Sequence, residues 1–287
     1  MAGGSAGRVA VIGAGTMGHG IAQVAALAGY DVALVDAVPA ALERAFERIR
    51  RNLDEGVARG KVEPTAREAA LARLAAAPDV AAAVAGADVV IEAVPERLEV
   101  KRSVLAEAEA GAPAGALLAS NTSSLSITEL QSGLARPGRM LGLHFFNPVH
   151  INRLVEVVRG ARTDESAVAD AVAFARRLGK EPIVVADSPG FASTRLGVLL
   201  GLEAMRMVEE GVASPEAIDT AMELGYRHPM GPLKLTDLVG LDVRLDIATY
   251  LHARLGERFR PPEILRRMVA EGKLGQKTGQ GFYRWEQ

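Results

Sequence analysis

Arg8-Val-Ala-Val-Ile-Gly-Ala-Gly-Thr-Met-Gly18 is the stretch that decides the fold of this chain of 287 residues. Its first five residues form a short apolar run, which is typical of a buried strand. The run leads directly into the pattern Gly13-x-Gly15-x-x-Gly18, and the composition from Ile21 to Leu27 is helical. A strand, a glycine turn and a helix in this order are the context in which the pattern binds a dinucleotide.

Each glycine of the turn meets a separate steric requirement of dinucleotide binding. Gly13 permits the tight turn, Gly15 lets a pyrophosphate approach the backbone, and Gly18 lets the helix pack closely on the strand. The start of the helix adds unpaired N–H groups and a positive dipole end. We therefore predict that the cofactor phosphates lie against the turn, which consists of Gly13, Ala14, Gly15, Thr16, Met17 and Gly18.

The second predicted strand, from Asp31 to Asp36, ends in a carboxylate. A carboxylate at this position accepts hydrogen bonds from the adenosine ribose hydroxyls and repels a 2′-phosphate. The cofactor is therefore predicted to be NAD and not NADP. The alternative is a glycine turn without a nucleotide, followed by an aspartate that caps the next helix.

The next helical patterns contain two local features. The predicted helix from Pro39 to Arg59 carries an arginine face, which is either solvated or in contact with a ligand phosphate; its members are Arg44, Arg48 and Arg51. Thr65 and Glu68 match a capping box at the start of a further short helix.

Strand-like and helical patterns alternate as far as Asp187, which is typical of a doubly wound parallel sheet. Further strands are predicted at 88–94, 116–119 and 140–145, with a helix at 96–110. Beyond residue 187 the patterns are helical, at 191–210, from Ser214-Pro215 onward, at 231–255 and at 261–270. The prediction is thus an α/β, Rossmann-type NAD-binding domain over 1–187, followed by an all-α C-terminal domain over 188–287.

Two apolar runs flank the polar break at Asn147-Pro148, and His144 and Glu156 are equidistant from His150. If the runs fold back as a hairpin with its reversal near His150, the imidazole and the carboxylate face each other across the turn. Glu156 lies in an apolar run, where a carboxylate needs a partner. The simpler alternative is a buried histidine satisfied by a local carbonyl, with Glu156 on an edge strand.

The composition excludes several classes of protein. A net charge of −2 without a basic field argues against nucleic-acid binding. With no cysteine, disulfides, thiolate catalysis and zinc–thiolate sites are impossible, and no metal site is predicted. No apolar run approaches the roughly 20 residues that span a membrane, and the early glycines and Asp36 argue against a signal sequence. We therefore expect a cytoplasmic protein.

Taken together, the motifs resemble the L-3-hydroxyacyl-CoA dehydrogenase family, including the 3-hydroxybutyryl-CoA dehydrogenases. The resemblance runs from Val9 to Tyr283. Its carriers are Val-Ile-Gly-Ala-Gly-Thr-Met-Gly at 11–18, Glu-Ala-Val-Pro-Glu at 92–96, Ala-Ser-Asn-Thr-Ser-Ser at 119–124, His-Phe-Phe-Asn-Pro at 144–148, Asp-Ser-Pro-Gly-Phe at 187–191, Pro-Met-Gly-Pro at 229–232 and Lys-Thr-Gly-Gln-Gly-Phe-Tyr at 277–283.

The resemblance implies an enzyme that interconverts (S)-3-hydroxyacyl and 3-oxoacyl thioesters with NAD. It also implies a catalytic cleft between the two domains and a homodimer formed through the C-terminal domain. His144 matches the catalytic base and Glu156 its carboxylate partner, while Ser123 and Asn147 match residues that bind the substrate near the reacting carbon. The positions matching residues around the cofactor are Asp36, Glu96, Lys101, Asn121 and Lys277.

Two departures from the family pattern concern the substrate. Thr194 stands where the family usually has asparagine, in a position expected to bind substrate, and Val149 to Arg153 replaces a segment with a second proline and a Met-Lys pair. Arg153 or His150 either faces a polar or acidic acyl group, such as one on an acyl carrier protein, or lies in solvent. A remote alternative is an NAD-binding protein without turnover, against which the retention of both His144 and Glu156 argues.

Overall fold

The chain before residue 188 contains one sheet, which has eight strands among the described residues. A computed structural model describes residues 7–286. In chain order the strands are β1 (Arg8–Ile12), β2 (Asp31–Val35), β3 (Leu74–Ala76), β4 (Val89–Glu92), β5 (Leu117–Ser120), β6 (Met140–Phe145), β7 (Leu154–Arg159) and β8 (Glu181–Ala186). They form one sheet in the order β3-β2-β1-β4-β5-β6-β7-β8. Neighbouring strands are parallel, except that β6 and β7 are antiparallel.

Helices cover both faces of this sheet. They are α1 (Gly18–Leu27), α2 (Pro39–Ala58), α3 (Pro64–Ala72), α4 (Val80–Val84), α5 (Leu98–Gly111), α6 (Ile127–Gln131) and α7 (Glu165–Arg177). One apolar core joins a face of the sheet to α1, α2 and α7, and a second joins the other face to α4 and α5. Because side chains alternate along a strand, β1 contributes Val9 and Val11 to the first core and Ala10 and Ile12 to the second. The predicted Rossmann-type doubly wound fold is confirmed.

The strand order reverses its direction of winding between β1 and β4, which are neighbours in the sheet. In such sheets a crevice opens at this point beyond the carboxyl ends of the strands. The segments that follow β1, β2, β4 and β5, and the end of β6, therefore lie along one edge. This edge receives most of the predicted site residues.

The chain divides into two compact units between Ser188 and Pro189. The second unit is helical and consists of α8 (Ser193–Glu209), α9 (Pro215–Thr220), α10 (Pro232–Val239), α11 (Leu241–Leu255) and α12 (Glu263–Ala270), with shorter helical turns. It has its own core, which includes Leu202, Met205, Leu233 and Leu251. Ser214 caps α9 as predicted, because its hydroxyl accepts a hydrogen bond from the backbone N–H of Ala217.

Several sequence predictions of secondary structure are wrong in detail. The helix predicted over 231–255 is two helices, because Gly240 takes a φ of 102° that breaks the helical path. The helix predicted to be capped by Thr65 begins two residues earlier than that cap implies, and within residues 7–286 Glu63 stands at its N-cap without a side-chain hydrogen bond. Neither β3 nor α4 was predicted.

None of the helices within residues 7–286 combines the length and apolar character that a membrane crossing requires.

Candidate active site

The glycine turn between β1 and α1 has the geometry that dinucleotide binding requires. Gly13 has a φ of 101°, and its N–H donates to the carbonyl of Val35 at 2.7 Å. A β-carbon on Gly18 would lie 1.7 Å from the carbonyl oxygen of Gly13, so the helix approaches the turn too closely for any side chain. A β-carbon on Gly15 would meet no atom within 4 Å. The open side at Gly15 is where a phosphate can reach the backbone.

A cavity of about 750 Å³ adjoins this turn at the carboxyl ends of β1, β2 and β4. Its lining includes Gly13, Gly15, Asp36, Val38 and Val94. One carboxylate oxygen of Asp36 accepts the N–H of Ala14 at 2.7 Å, and the other accepts the N–H of Val38 at 2.8 Å. A carboxylate has about four acceptor positions, so Asp36 retains capacity for two ribose hydroxyls. Cavity, turn and carboxylate fit a dinucleotide.

Behind the cavity, Lys101 is buried and paired. Its ammonium donates to Glu92 at 2.8 Å and to the carbonyl of Val94 at 3.1 Å, and it lies 3.2 Å from Glu96. Lys101 is only 1% exposed, so any influence on a ligand passes through these partners. Glu92 also accepts a hydrogen bond from the hydroxyl of Ser120 at 2.6 Å, which joins β4 to β5.

Glu96 organises the polar turn that follows β5. One carboxylate oxygen accepts hydrogen bonds from the hydroxyl of Thr122, from the N–H of Ser123 at 3.0 Å and from the N–H of Ser124 at 3.3 Å. Burial alone would raise the pKa of Glu96, but Lys101 and these hydrogen bonds outweigh it and hold that pKa below its ordinary value. Glu96 is therefore a stable anion that fixes the position of Ser123.

Asn121 links this turn to the end of β6. The side-chain oxygen of Asn121 accepts a hydrogen bond from the backbone N–H of Phe145 at 2.9 Å, and the backbone N–H of Asn121 donates to the carbonyl of Glu92. The polar turn and His144, which precedes Phe145 in β6, are thereby held next to each other.

His144 and Glu156 face each other across the antiparallel pair of β6 and β7. The two residues are direct partners in the strand register, and Nδ1 of His144 lies 2.7 Å from Oε2 of Glu156. Glu156 is fully buried and His144 is 6% exposed. The ring of Phe146 lies 4.4 Å from that of His144, between centroids. The predicted facing arrangement is confirmed.

The turn between these strands carries Asn147, which is exposed and joined to Pro148 by a cis peptide bond. The side-chain amide of Asn152 donates to the carbonyl of Asn147 at 2.7 Å. The side chain of Arg153 is 78% exposed and reaches Glu181 only at 3.7 Å, which favours its interpretation as a solvated residue. His150 is also exposed.

The remaining predicted site residues belong to the second unit. Thr194 lies in the first turn of α8 and is partly buried. Lys277 donates to both carboxylate oxygens of Asp242, each at 2.6 Å. Among residues 7–286, no group of three or more histidine, aspartate or glutamate side chains has an arrangement that could hold a metal ion.

Sequence reasoning gave no individual role to two residues of this network, Ser120 and Thr122. Both are fully buried, and each donates its hydroxyl to a glutamate of the 92–96 segment. Their signal was available in the sequence, because two hydroxyl residues follow a buried strand and Glu92 and Glu96 flank the end of its neighbour. A buried carboxylate requires such donors.

Comparisons with known proteins agree with this geometry. The family model for the NAD-binding domain of 3-hydroxyacyl-CoA dehydrogenase matches residues 8–188, and the model for the C-terminal domain of that enzyme matches residues 190–285. A probable 3-hydroxybutyryl-CoA dehydrogenase from Bacillus subtilis is 43% identical over 98% of both chains. A 3-hydroxyadipyl-CoA dehydrogenase from Escherichia coli is also 43% identical, over 96% of this chain and 58% of its own length.

Among solved structures, (S)-3-hydroxybutyryl-CoA dehydrogenase from Ralstonia eutropha superimposes with a TM-score of 0.94 at 39% identity, covering 98% of this chain and 99% of its own. Fold, site and matches together define an NAD-dependent oxidoreductase. Within that class, the chain belongs to the 3-hydroxyacyl-CoA dehydrogenase family.

Proposed function

We propose that this enzyme interconverts (S)-3-hydroxyacyl-CoA and 3-oxoacyl-CoA esters, with His144 as the acid/base. The observation that carries the proposal is the buried contact of 2.7 Å between His144 and Glu156, at the edge of the sheet where the glycine turn and Ser123 also lie. NAD bound at the glycine turn would supply the hydride acceptor for C3 of the hydroxyacyl group, and NADH would supply the hydride in the reverse direction.

His144 takes the hydroxyl proton as the hydride leaves. Because Glu156 accepts from Nδ1, it favours the tautomer that is protonated there, and the lone pair of Nε2 then receives the substrate proton. The carboxylate also stabilises the imidazolium that forms, and it keeps the ring in place through the strand register. In the reverse direction the same Nε2 returns the proton to the oxygen of the ketone.

Ser123 and Asn147 are the donors for the oxygen on C3. Ser123 lies in the turn whose backbone N–H groups bind Glu96. Asn147 lies at the start of the turn after β6 and contributes its side-chain amide. Donors held in place before the reaction stabilise the charge that develops on the oxygen without further reorganisation. Thr194 contributes one hydroxyl to substrate binding, where an amide would offer separate donors and an acceptor.

The turn from Gly13 to Gly18 binds the cofactor phosphates and Asp36 binds the adenosine ribose. The fit rests on the open side of Gly15 and the cavity that Asp36 lines. Glu96, Asn121 and the enclosed Lys101 shape the nicotinamide side through the polar turn. The family resemblance also assigns Lys277, whose ammonium donates to Asp242, to the cofactor.

A coenzyme A ester is favoured over a carrier-protein ester by the arginine face of α2. Arg44 and Arg48 line a second cavity, of about 220 Å³, together with the outer side of the glycine turn. Neither arginine forms an ion pair within residues 7–286, so their charges are available to the phosphates of coenzyme A. Because Arg153 is exposed, it is not a buried cation that could bind an acidic acyl group. The substrate panel described below determines the preferred acyl chain length.

We also propose that the enzyme is a homodimer formed through its helical unit, and that it works in the cytoplasm. Exposed apolar side chains on α8, α10 and α11 support the first proposal. The absence of cysteine from the sequence is compatible with the second.

The decisive experiment follows NADH absorbance with acetoacetyl-CoA and with longer, dicarboxylic and carrier-bound 3-oxoacyl thioesters. Wild-type enzyme is expected to prefer coenzyme A esters. His144→Gln should lower kcat by about 100- to 10,000-fold, and Glu156→Gln should lower it in the same direction. NADH binding, followed by its fluorescence, should persist in both variants. Full turnover by His144→Gln would refute the assignment of the base.

A further inference from the structure

Lys180 is a buried cation without a carboxylate partner. It is 8% exposed, and within residues 7–286 it forms no ion pair, whereas the other buried lysine, Lys101, is paired with Glu92 at 2.8 Å. Burial accordingly lowers the pKa of the Lys180 ammonium. A charge buried at such a cost must be compensated by other polar groups.

Backbone carbonyls provide that compensation. The ammonium of Lys180 donates to the carbonyl of Val149 and, at 2.7 Å, to the carbonyl of Asn152. Both carbonyls belong to the turn between β6 and β7. Within this turn the N–H groups of Ile151 and Asn152 donate to the carbonyl of Pro148, at 3.0 and 2.9 Å. The ammonium of Lys180 thus binds the carbonyls of Val149 and Asn152, which belong to the same turn whose N–H groups already bind the Pro148 carbonyl.

The opposite side of the same turn rests on the nucleotide-binding helix. Val149 is 2% exposed and packs on Gly20 of α1, where a β-carbon would lie 2.9 Å from the β-carbon of Val149. The turn is therefore held between Lys180 and α1, whose first residue closes the glycine turn. Asn152 completes the arrangement, because its amide donates to the carbonyl of Asn147 at 2.7 Å.

We propose that Lys180 is a positioning residue for Asn147. Its charge holds the turn against α1, so that the Asn147 amide keeps its place beside His144 and points to the oxygen on C3. The inference rests on the proposed function, in which Asn147 is a donor to that oxygen. Lys180 itself does not touch the substrate. Its removal leaves the acid/base pair intact and displaces only the donor, which affects the chemical step more than cofactor binding.

The test is a double-mutant cycle between Lys180→Met and Asn147→Ala, with acetoacetyl-CoA and NADH. Lys180→Met should lower kcat by about 10- to 100-fold in the wild-type background, and by less than about 3-fold in the Asn147→Ala background. The NADH dissociation constant should change by less than about 2-fold, and Lys180→Arg should recover part of the loss because it keeps a charged donor. Lys61→Met, at an exposed lysine of the same unit, is the matched control with unchanged kcat.

Equal losses in both backgrounds would overturn the positioning role, since the residue would then act without Asn147. If Lys180→Met fails to fold, the same cycle is run with Asn152→Ala, which removes the bond to the Asn147 carbonyl and leaves the cation in place. A loss from Asn152→Ala that persists in the Asn147→Ala background overturns the proposal equally. Absence of wild-type turnover with every 3-oxoacyl thioester refutes the proposed function, and with it this role of Lys180.

Discussion

His19 and His150 lie outside the proposed catalytic pair of His144 and Glu156. The protein lowers the pKa of both histidines. Burial is the main cause of the lowered pKa of His19, and Arg48 and Arg51 lower that pKa further, against a hydrogen bond to the Gly15 carbonyl. The pKa of His150 is lowered by burial, then by His19 and Lys180, against the opposing effect of Glu55. The neutral form of both rings is therefore favoured at pH 7, and each ring takes up its proton at a pH below 6.5.

The lowered pKa values of His19 and His150 predict how the free energy of unfolding depends on pH. Since both folded pKa values lie below the unfolded value of 6.5, the unfolded chain binds more protons, and the free energy of unfolding falls as the pH drops below 6.5. His19→Gln/His150→Gln should show a smaller fall between pH 7 and 5 in chemical denaturation. Saturating coenzyme A should also reduce the fall, because a nearby phosphate favours the charged rings.

Two results would contradict this prediction. A pH dependence identical in the variant would remove the two histidines as its cause. Coenzyme A that stabilises the wild type equally at pH 5.5 and 7.5 would show that its phosphates bind away from these two rings.

At the scale of single residues, the sequence indicated the facing pair of His144 and Glu156, and it gave no signal for contacts that depend on packing or on backbone carbonyls. The symmetric spacing of His144 and Glu156 about His150 indicated that they would face each other if the two runs formed a hairpin, while a simpler alternative stayed open, and the strand register confirms the facing arrangement. Lys180 left no comparable signal, since its acceptors are the carbonyls of Val149 and Asn152, which every residue type possesses. The enclosure of Lys101 by two glutamates was also beyond reach, because it depends on the packing of α5.

At the scale of the element, two glycines of the turn that joins β1 to α1 have different roles. Substitution of Gly15 should weaken NADH binding, and substitution of Gly18 should lower the free energy of unfolding. Gly15→Ala adds a methyl group to open space, so the free energy of unfolding should change by less than about 1 kcal/mol. The same methyl group occupies the side where the phosphates approach, and the NADH dissociation constant should rise by about 10-fold or more. Gly18→Ala places its methyl group against the Gly13 carbonyl and should cost about 2 kcal/mol of stability or more.

Urea denaturation and titration of NADH fluorescence measure the two quantities independently. NADH affinity unchanged in Gly15→Ala would move the phosphates away from this turn. An equally stable Gly18→Ala would mean that α1 can withdraw from the turn at little cost.

Strands marked by an apolar run and a following turn motif were predicted from the sequence. A strand that depends on pairing with a neighbouring strand was not. β1 and β6 were found because an apolar run precedes a glycine turn in one case and a proline break in the other. β3 consists of Leu74, Ala75 and Ala76, which have no preference for strands, and it exists through its parallel pairing with β2. α10 and α11 share one apolar periodicity, so only the backbone angle of Gly240 separates them.

At the scale of the whole molecule, the parallel sheet explains how distant segments meet. The glycine turn, Asp36, the polar turn after Ser120 and His144 lie far apart in the sequence, yet each follows or ends a strand that points the same way. β7 runs antiparallel to β6 and returns Glu156 to His144, so this pairing adds the proposed base to the edge that carries the proposed nucleotide site. In the proposed function, cofactor binding and proton transfer are therefore separate contributions of one sheet.

The helical unit exposes apolar side chains that a monomer would leave in water. On α8, α10 and α11 these are Leu196, Leu200, Leu235, Leu238, Val239 and Val243, with exposed fractions from 39% to 62%. Arg244 is buried next to Val243, and within residues 7–286 its Nε has no hydrogen-bond partner. Burial lowers the pKa of Arg244 to about 10. Exposed apolar surface is stabilised when a second copy covers it, and a second copy can also bring an acceptor for a buried donor such as the Nε of Arg244.

Sedimentation equilibrium should therefore give a mass near twice the 30.2 kDa of the chain. Leu200→Glu places a charge in the face shared by α8, α10 and α11, and it should raise the dimer dissociation constant by at least about 10-fold. Leu224→Glu is the matched control, because Leu224 is 79% exposed and lies outside these three helices. A dimer that withstands Leu200→Glu and dissociates with Leu224→Glu would place the interface on another surface of the helical unit.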